Sequence, residues 1–498
     1  MCDGPHHFDC RNKASFFAMI LWIVAIAVLV LLYGCTPSYN KEVWEAPEGV
    51  ADEAASNSEA FTRGDWPADN WWSRFQDPQL AALIAMGLAQ NPKIDVAAAQ
   101  AQIAAAEAMI SRAALYPTVD FKGDITRIRY SKNGIFGVLP PQPGFVFPFS
   151  NTQYEFSLNF ALEIDWWGKN RDLLQARIGF FKAQLAEVSQ ARLMIATAIA
   201  RTYFLLQMQK NRLKMAERRV EALEEMLQLT KLRTQQHVAS LLPVNTLENE
   251  YYNTRDWKIG LQQQVELETV ALRELLGGTF NEVIEEKGIE SALWEPFPLP
   301  ENLEVNLLAR RPDITAQLWR VEANVKEVSA AKKEFLPNLN LAGLAGFQTL
   351  KAHTWLRGNS KYGQGGPALS LPLFEGGALQ GNLLSNVAEY TLAVTQYEDM
   401  LIHAIREVLE GITDIRFWNR RNQELGAGVA ALESSFHLSQ DRLKNNIDSR
   451  IDVLRAEINW LSAQDFLVQG YASNLISQLN LIKALGGGYN CHGSTDES

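Results

Sequence analysis

The chain has 498 residues, of which 47% are hydrophobic and 21% charged, and its 46 basic and 57 acidic side chains leave a net charge of −11. That is an ordinary folded-protein composition with room for two or three domains. An acidic balance with no basic cluster argues against nucleic acid, which needs a positive surface to displace its counterions. None of the four cysteines lies between 36 and 490, so that region has neither a disulfide framework nor a thiolate metal site.

Residues 14–33 are an unbroken apolar run preceded by Arg11 and Lys13, long enough to cross a bilayer as a helix. The run ends in Leu32-Tyr33-Gly34-Cys35, which is similar to the bacterial lipobox. On that reading 1–34 is a signal peptide, removed before an acylated Cys35, and is no part of the fold. The alternative is an uncleaved anchor. Residues 35–70 are polar, contain Pro37, Pro47 and Pro67, and read as a lipidated tether.

Beyond residue 70 the chain repeats itself. Asn91-Pro92-Lys93-Ile94 opens a helical stretch that closes at Leu115-Tyr116-Pro117-Thr118; Arg311-Pro312-Asp313-Ile314 opens another that closes at Phe335-Leu336-Pro337-Asn338. Pro92 and Pro312 stand 220 positions apart, as do Pro117 and Pro337. Trp167-Gly168 answers Phe374-Glu375-Gly376, and Val238-Ala239-Ser240 answers Ile447-Asp448-Ser449, at offsets of 207 to 209. One unit of about 210 residues has been duplicated, far too long for a solenoid module. The predicted division is 71–90 as an N-terminal segment, 91–276 as the first repeat, 277–311 as a linker, 312–489 as the second repeat and 490–498 as a tail.

Each repeat opens with a short helix whose proline sits in the first turn, where it is tolerated. The period then changes to two. Tyr154, Phe156, Leu158, Phe160, Leu162, Ile164 and Trp166 alternate with Glu155, Ser157, Asn159, Ala161, Glu163 and Asp165. That pattern predicts a strand with one apolar and one polar face, suited to lipid on one side and water on the other. Val119, Phe121 and Ile125 predict its partner. The second copy has Leu339, Leu341, Gly343, Ala345 and Phe347, then Leu369, Leu371 and Leu373, with a shorter hairpin. Trp166, Trp167 and Phe374 are placed for an interfacial aromatic belt. A soluble half-buried sheet is the other reading of these strands.

Long helices follow, over 169–237 and 377–446. At 1.5 Å per residue each is about 100 Å long, so each must be a coiled-coil arm or a tube wall. Shorter helices over 243–276 and 452–485 return, and two short helices stacked end to end nearly match one long one. Four strands cannot close a barrel, and open edges are not tolerated in lipid. A trimer would give 12 strands and 12 helical columns, hence a β-barrel continued by an α-barrel. The predicted fold class is an α+β membrane protein of this kind.

The motifs as a set resemble the TolC-like outer-membrane efflux proteins, in particular their OprM-type lipoprotein branch. The resemblance is carried by Trp71-Trp72-Ser73-Arg74-Phe75-Gln76-Asp77-Pro78, by Arg310-Arg311-Pro312-Asp313-Ile314, and by the strand-to-helix junctions Ile164-Asp165-Trp166-Trp167-Gly168-Lys169 and Leu371-Pro372-Leu373-Phe374-Glu375-Gly376-Gly377. It extends to the end of the last helix, from Gln478 to Tyr489. It implies a homotrimeric, passive exit duct of the outer membrane, working with a periplasmic adaptor and an inner-membrane pump of the proton-driven RND type. Drugs or other small toxic compounds would be exported, without catalysis and without a cofactor. A metal-efflux channel, a protein-secretion channel and a non-pore coiled-coil scaffold are the alternatives.

The resemblance also implies where mechanism resides. Adaptor hairpins would dock at the helical tips, on Val238, Ala239, Ser240, Ile447 and Ser449. Asp448, Ile451, Asp452 and Arg455 would form the periplasmic gate. Asp452 matches a position where the family carries aspartate rings, while Arg455 stands where another aspartate is frequent. Three-fold symmetry would bring three Asp452 and three Arg455 close together, and Asp–Arg pairs there are expected to hold the end shut and to reduce cation selectivity; ordinary (i, i+3) surface partners are the other reading. No catalytic or metal-ligating constellation is legible in the histidines or glycines.

Overall fold

The computed structural model describes residues 61–134, 149–238, 240–278, 284–285, 297–299 and 310–490. The apolar run at 14–33, Cys35, Ala239 and the tail from 491 lie outside these residues. The chain divides into two compact units: one contains 104–180 and 321–394, the other 61–103, 181–320 and 395–490, so far as these are described.

The duplication is visible in element lengths. Helix α2 (Pro92–Ala113) and helix α5 (Pro312–Lys333) have 22 residues each. The long helices α3 (Lys169–Gln235) and α6 (Ala378–Lys444) have 67 each. The returning helices α4 (Leu242–Leu275) and α7 (Arg450–Ala484) have 34 and 35. These bounds follow the sequence pattern to within a few residues. Each long helix ends where its charge-rich sequence meets a residue forced into the left-handed region.

In the first unit, β2 (Thr118–Arg129), β3 (Ser150–Ile164), β5 (Asn338–Thr349) and β6 (Lys361–Ser370) form one antiparallel sheet in the order β2-β3-β5-β6. Two hairpins from opposite halves of the sequence thus meet at β3 and β5. Phe156 pairs with Gly123 and Phe347, Leu158 with Phe121 and Ala345, and Phe160 with Val119 and Gly343. Because side chains alternate across a strand, this register carries one apolar face across all four strands. Gly346 permits the β3–β5 approach: a Cβ there would sit 2.0 Å from the Phe156 carbonyl oxygen.

In the second unit, ion pairs fix the helix order. Lys231–Glu248 (2.6 Å) and Glu217–Lys258 (3.2 Å) join α3 to α4 running antiparallel. Arg212–Asp465 (2.7 Å), Arg218–Glu457 (2.6 Å) and Glu225–Arg450 (2.7 Å) join α3 to α7, again antiparallel. Helix α7 meets α6 through Asn422 Nδ2 donating to the Gly470 carbonyl (3.2 Å) and through the Phe436–Trp460 stack at 5.4 Å. The side-by-side order is α4-α3-α7-α6.

The duplicated Asn-Pro and Arg-Pro motifs do one job twice. Asn91 Nδ2 donates to the Leu275 carbonyl (2.8 Å), so α2 starts where α4 ends. Arg311 NH1 donates to the Ala484 carbonyl (3.1 Å), so α5 starts where α7 ends. The last carbonyls of a helix have no partner within it, and the residue before each proline supplies one. Gly486 makes the second junction possible: its φ is +87°, and a Cβ would lie 1.9 Å from the Arg310 carbonyl oxygen.

The main core lies around these junctions. Trp71, Phe75, Leu80 and Ile84 pack with Ile199, Tyr203 and Phe204 of α3, with Leu272, and with Ile412, Leu475 and Leu479. Asp77 caps helix α1 (Pro78–Gln90), accepting from Gln79 N at 2.9 Å, and also accepts the Tyr203 hydroxyl at 2.6 Å. Strand β1 (Phe61–Arg63) pairs in parallel with β4 (Phe297–Leu299). The last part of the stretch read as a tether, 35–70, is therefore part of the fold. Its composition gave no sign of this, because a three-residue strand carries no periodicity.

Candidate functional site

Two regions carry the features that bear on function: the sheet in the first unit and the helical tips in the second.

On the sheet, Val119, Phe121 and Ile125 are exposed and share a face with Phe156 and Leu158. The opposite face carries Asp120, Lys122, Asp124, Glu155 and Asn159. Glu155 there accepts the Tyr362 hydroxyl and Gln153 Nε2, the latter at 2.9 Å. One side of the sheet is thus apolar and open, and the other is polar and hydrogen-bonded.

The aromatics expected at the margin lie just past the strand. Trp166 is 71% exposed and Phe374 89%. Trp167 Nε1 donates to the Pro337 carbonyl at 2.8 Å, which holds the ring at the sheet's helix end. Asp165 then accepts Asn170 N (3.2 Å) and Arg171 N (3.0 Å), capping the start of α3. Trp355 lies at the other end of the sheet, against Phe156 at 4.0 Å. Sequence reading missed Trp355, because it sits in the hairpin connection and not in an alternating strand.

The tips are built twice on one plan. His237 (φ 60°) and Asn446 (φ 56°) terminate α3 and α6 in the left-handed region. Val238 N donates to Arg233 O (2.9 Å) and Ile447 N to Arg442 O (2.9 Å), while His237 N and Asn446 N reach Thr234 O and Leu443 O at 3.0 Å. Both are the paired 6→1 and 5→2 bonds of a helix ending with a left-handed residue. Val238 and Ile447 are left as matching exposed apolar residues, 74% and 63% exposed. Ser240 lies beside the first, and its carbonyl accepts Thr234 Oγ1 at 3.2 Å.

Within one chain, Asp452 and Arg455 each bond to a residue other than one another. Asp452 accepts both the Ser449 backbone N–H (2.8 Å) and the Ser449 hydroxyl (2.6 Å) at the start of α7. Arg455 NH1 reaches both carboxylate oxygens of Glu250 on α4, at 2.9 and 2.8 Å. Asp452 is held by the helix N-terminus it caps, and Arg455 faces the neighbouring helix. Asp448 accepts Ser439 Oγ (3.1 Å) and Arg442 Nε (2.9 Å), closing the second turn. Hydrogen bonding from Arg442 holds the Asp448 carboxyl below the usual range; the Ser449 hydrogen bonds do the same for Asp452. Ile451 packs beside Leu454, Ile458 and α3 residues Leu223 and Met226.

Behind the tips, Glu457 and Asp465 are buried on α7 and each is met by an arginine of α3. Arginine suits such sites because its planar fork reaches both oxygens. Sequence reading passed over these pairs, since the partners lie more than 200 positions apart. The available signal was an acid on an apolar stripe: Glu457 stands among Leu454, Ile458 and Leu461.

Similarity to known proteins agrees with these features. The profile of the family described as outer membrane efflux protein matches residues 83–278 and 303–487, one segment in each repeat. The multidrug resistance outer membrane protein MdtQ of Escherichia coli O157:H7 is 28% identical over 494 residues, covering 96% of this chain and 99% of its own. Multidrug resistance outer membrane protein MdtP of Escherichia coli strain K12 is 26% identical over 427 residues, covering 85% and 87%. Among solved structures, the outer membrane protein VceC of Vibrio cholerae is 28% identical with a TM-score of 0.73, covering 85% of this chain and 100% of its own. The CmeC outer membrane channel of Campylobacter jejuni shares the fold, with a TM-score of 0.80 at 24% identity over 92% of this chain and 96% of its own. Two matched segments within one duplicated, mostly helical α+β chain settle its place: it belongs to the outer membrane efflux protein family.

Proposed function

We propose that three copies of this chain close into a duct across the outer membrane, through which a pump and an adaptor export small toxic compounds. The carrying observation is the four-stranded sheet, with β2 and β6 as its edges among the described residues and one uninterrupted apolar face. A membrane-spanning sheet must have no edge, and three copies joined edge to edge give 12 strands. From Tyr154 to Ile164 the strand rises about 33 Å at ~3.3 Å per residue. A tilt of about 40° reduces this to about 25 Å, the height of an outer-membrane apolar band.

The helices support the same closure. In the order α4-α3-α7-α6 the two outer members are α4 and α6. Tyr252, Ile259, Leu267 and Val270 are exposed on α4, and Ile402, Phe417 and Leu438 on α6. An apolar stripe on each outer helix fits a head-to-tail contact between copies that closes by rotation. Val238, Ala239, Ser240, Ile447 and Ser449 would meet the adaptor. Asp448, Ile451, Asp452 and Arg455 would form the gate, with Arg455 held back by Glu250. Cys35 would be acylated after removal of 1–34. The relatives named for multidrug resistance favour drugs as cargo, and selection among them would rest with the pump.

The test is reconstitution. Purified protein in detergent should be a heat-sensitive, β-containing trimer that conducts in planar bilayers, more so when the tip is opened by Glu250→Gln with Glu225→Gln. A silent monomer would refute the reading.

A further inference from the structure

The charge of the sheet is unevenly placed. No Asp or Glu occurs between Asp124 and Glu155, or between Glu334 and Glu375. Within those two stretches stand Arg127, Arg129 and Lys132, and Lys351, Arg357 and Lys361. In a chain of net charge −11, both hairpins end in cations alone. All six side chains are exposed, and among the described residues none makes an ion pair. The other end of the sheet differs: Lys169–Glu163 (2.7 Å) and Arg171–Asp165 (3.2 Å) are matched there. Sequence reading found no basic cluster, because the two groups lie more than 200 positions apart and only the β3–β5 pairing unites them.

The face they occupy is informative. Arg127 and Arg129 continue the series Val119, Phe121, Gly123, Ile125 on β2, opposite Thr152 and Ser150. Lys361 pairs with Phe347 and continues the series Leu369, Pro367, Gly365, Gly363 on β6. All three therefore stand on the apolar face, just past its margin, while Thr126, Ile128 and Tyr362 occupy the polar face. Cations meant to draw solutes through a lumen would stand on the polar face. Trp355, packed on Phe156, lies on the same apolar side, as an aromatic at a lipid headgroup level would.

We infer that this margin binds the phosphate groups of anionic lipid in the leaflet at the hairpin ends, with Arg127, Arg129 and Lys361 as the contacts and the Ser150 and Thr152 hydroxyls beside them. Guanidinium groups take phosphate oxygens in pairs, and unmatched like charges at a membrane margin need such counter-anions. The inference rests on the reading of the sheet as a membrane barrel. The strands' opposite ends lead into the helices, so the hairpin ends meet the outer leaflet.

The test uses purified full-length protein in detergent, incubated with bis-phosphorylated lipid A or with its dephosphorylated form, and bound lipid counted by native mass spectrometry. The wild-type trimer should retain the phosphorylated form about tenfold better. Arg127→Gln/Arg129→Gln/Lys361→Gln should lose most of that preference, whereas Lys122→Gln, on the polar face, should keep it. Should the strand variant fail to assemble, Lys132→Gln/Lys351→Gln/Arg357→Gln in the connections carries the test, with a loss of about two- to threefold. Equal retention by variant and wild type, equal retention of the two lipids, or displacement by inorganic phosphate would each overturn the inference. The trimer band is scored in the same samples: a β-rich trimer with no lipid preference sinks the inference alone, and absence of the trimer sinks both readings.

Discussion

Arg311 offers a quantitative test of how the two helical halves are joined. Its guanidinium is almost fully buried and donates to Asp313 (3.1 and 2.7 Å), to Glu407 (2.8 Å) and to the Ala484 carbonyl (3.1 Å). Arg311→Met keeps most of the volume but removes the guanidinium from two carboxylates and one carbonyl, leaving Asp313 with Ile314 N (2.8 Å) and Glu407 with Lys483 (3.8 Å). Breaking a buried pair by removing one partner costs about 3–5 kcal/mol. Asp313 and Glu407 retain 21% and 31% of their side-chain exposure, which places the expected loss near the lower bound, about 3 kcal/mol. Asn91→Ala, at the equivalent junction, removes one bond to Leu275 O and the cap to Lys93 N, about 1–2 kcal/mol. Chemical unfolding in detergent, at fixed protein concentration and followed by far-ultraviolet circular dichroism, would measure both. Adding Glu407→Gln to Arg311→Met should recover about 1 kcal/mol by removing a carboxylate that keeps Lys483, at 3.8 Å, as its partner. An Arg311→Met loss under about 1 kcal/mol, or no recovery in the double variant, would refute the assignment of this arginine as the clasp.

Other expectations follow from the tips and the sheet. Asp448 and Asp452 have carboxyls held below their ordinary value of 3.8 by Arg442 and Ser449. A lowered folded pKa contributes stability above the unfolded value and loses it as pH falls through the folded one. Amide exchange over 444–455 should therefore show unchanged protection from neutral pH down to about pH 4 and a loss below it; a transition centred near pH 6 would contradict this. Arg455→Asp should raise bilayer conductance and cation preference, by freeing α7 from Glu250 and adding a negative ring; unchanged currents would count against a gate at this position. Gly346→Val should abolish the heat-sensitive trimer, since its Cβ meets the Phe156 carbonyl, while Gly358→Val in the hairpin connection, with open space around it, should leave the trimer intact; equal effects would show that the β3–β5 approach is not limiting. Val238→Asp with Ile447→Asp should remove adaptor cross-linking and spare assembly, and retained cross-linking would move the docking site elsewhere.

Much of this was legible in the sequence because the signals were periodic and doubled. A period of two over 154–166 could only be a two-faced strand, and the prolines at 92 and 312 marked helix starts that the structure keeps. What stayed hidden was contact between distant positions. Arg311 looked like a motif, but its role needed the end of α7 beside it. Arg455 reads as a partner for Asp452 around a three-fold axis, whereas its bond within the chain is to Glu250 on α4, 205 positions away. The basic margin was invisible because its two halves are joined only by strand pairing.

Closure of the sheet by three copies is tested most directly by cross-linking across the predicted seam. The cysteines of the sequence are Cys2, Cys10, Cys35 and Cys491, so with Cys491→Ser in place Lys122→Cys on β2 can be combined in turn with Tyr362→Cys, Gln364→Cys, Gly366→Cys and Ala368→Cys on β6. Oxidation in native outer membranes should yield, for the combination in register, a covalent ladder that ends at the trimer. A ladder ending at the dimer, bands beyond three chains, or no cross-link at any β6 position would contradict closure of the sheet into a twelve-stranded ring.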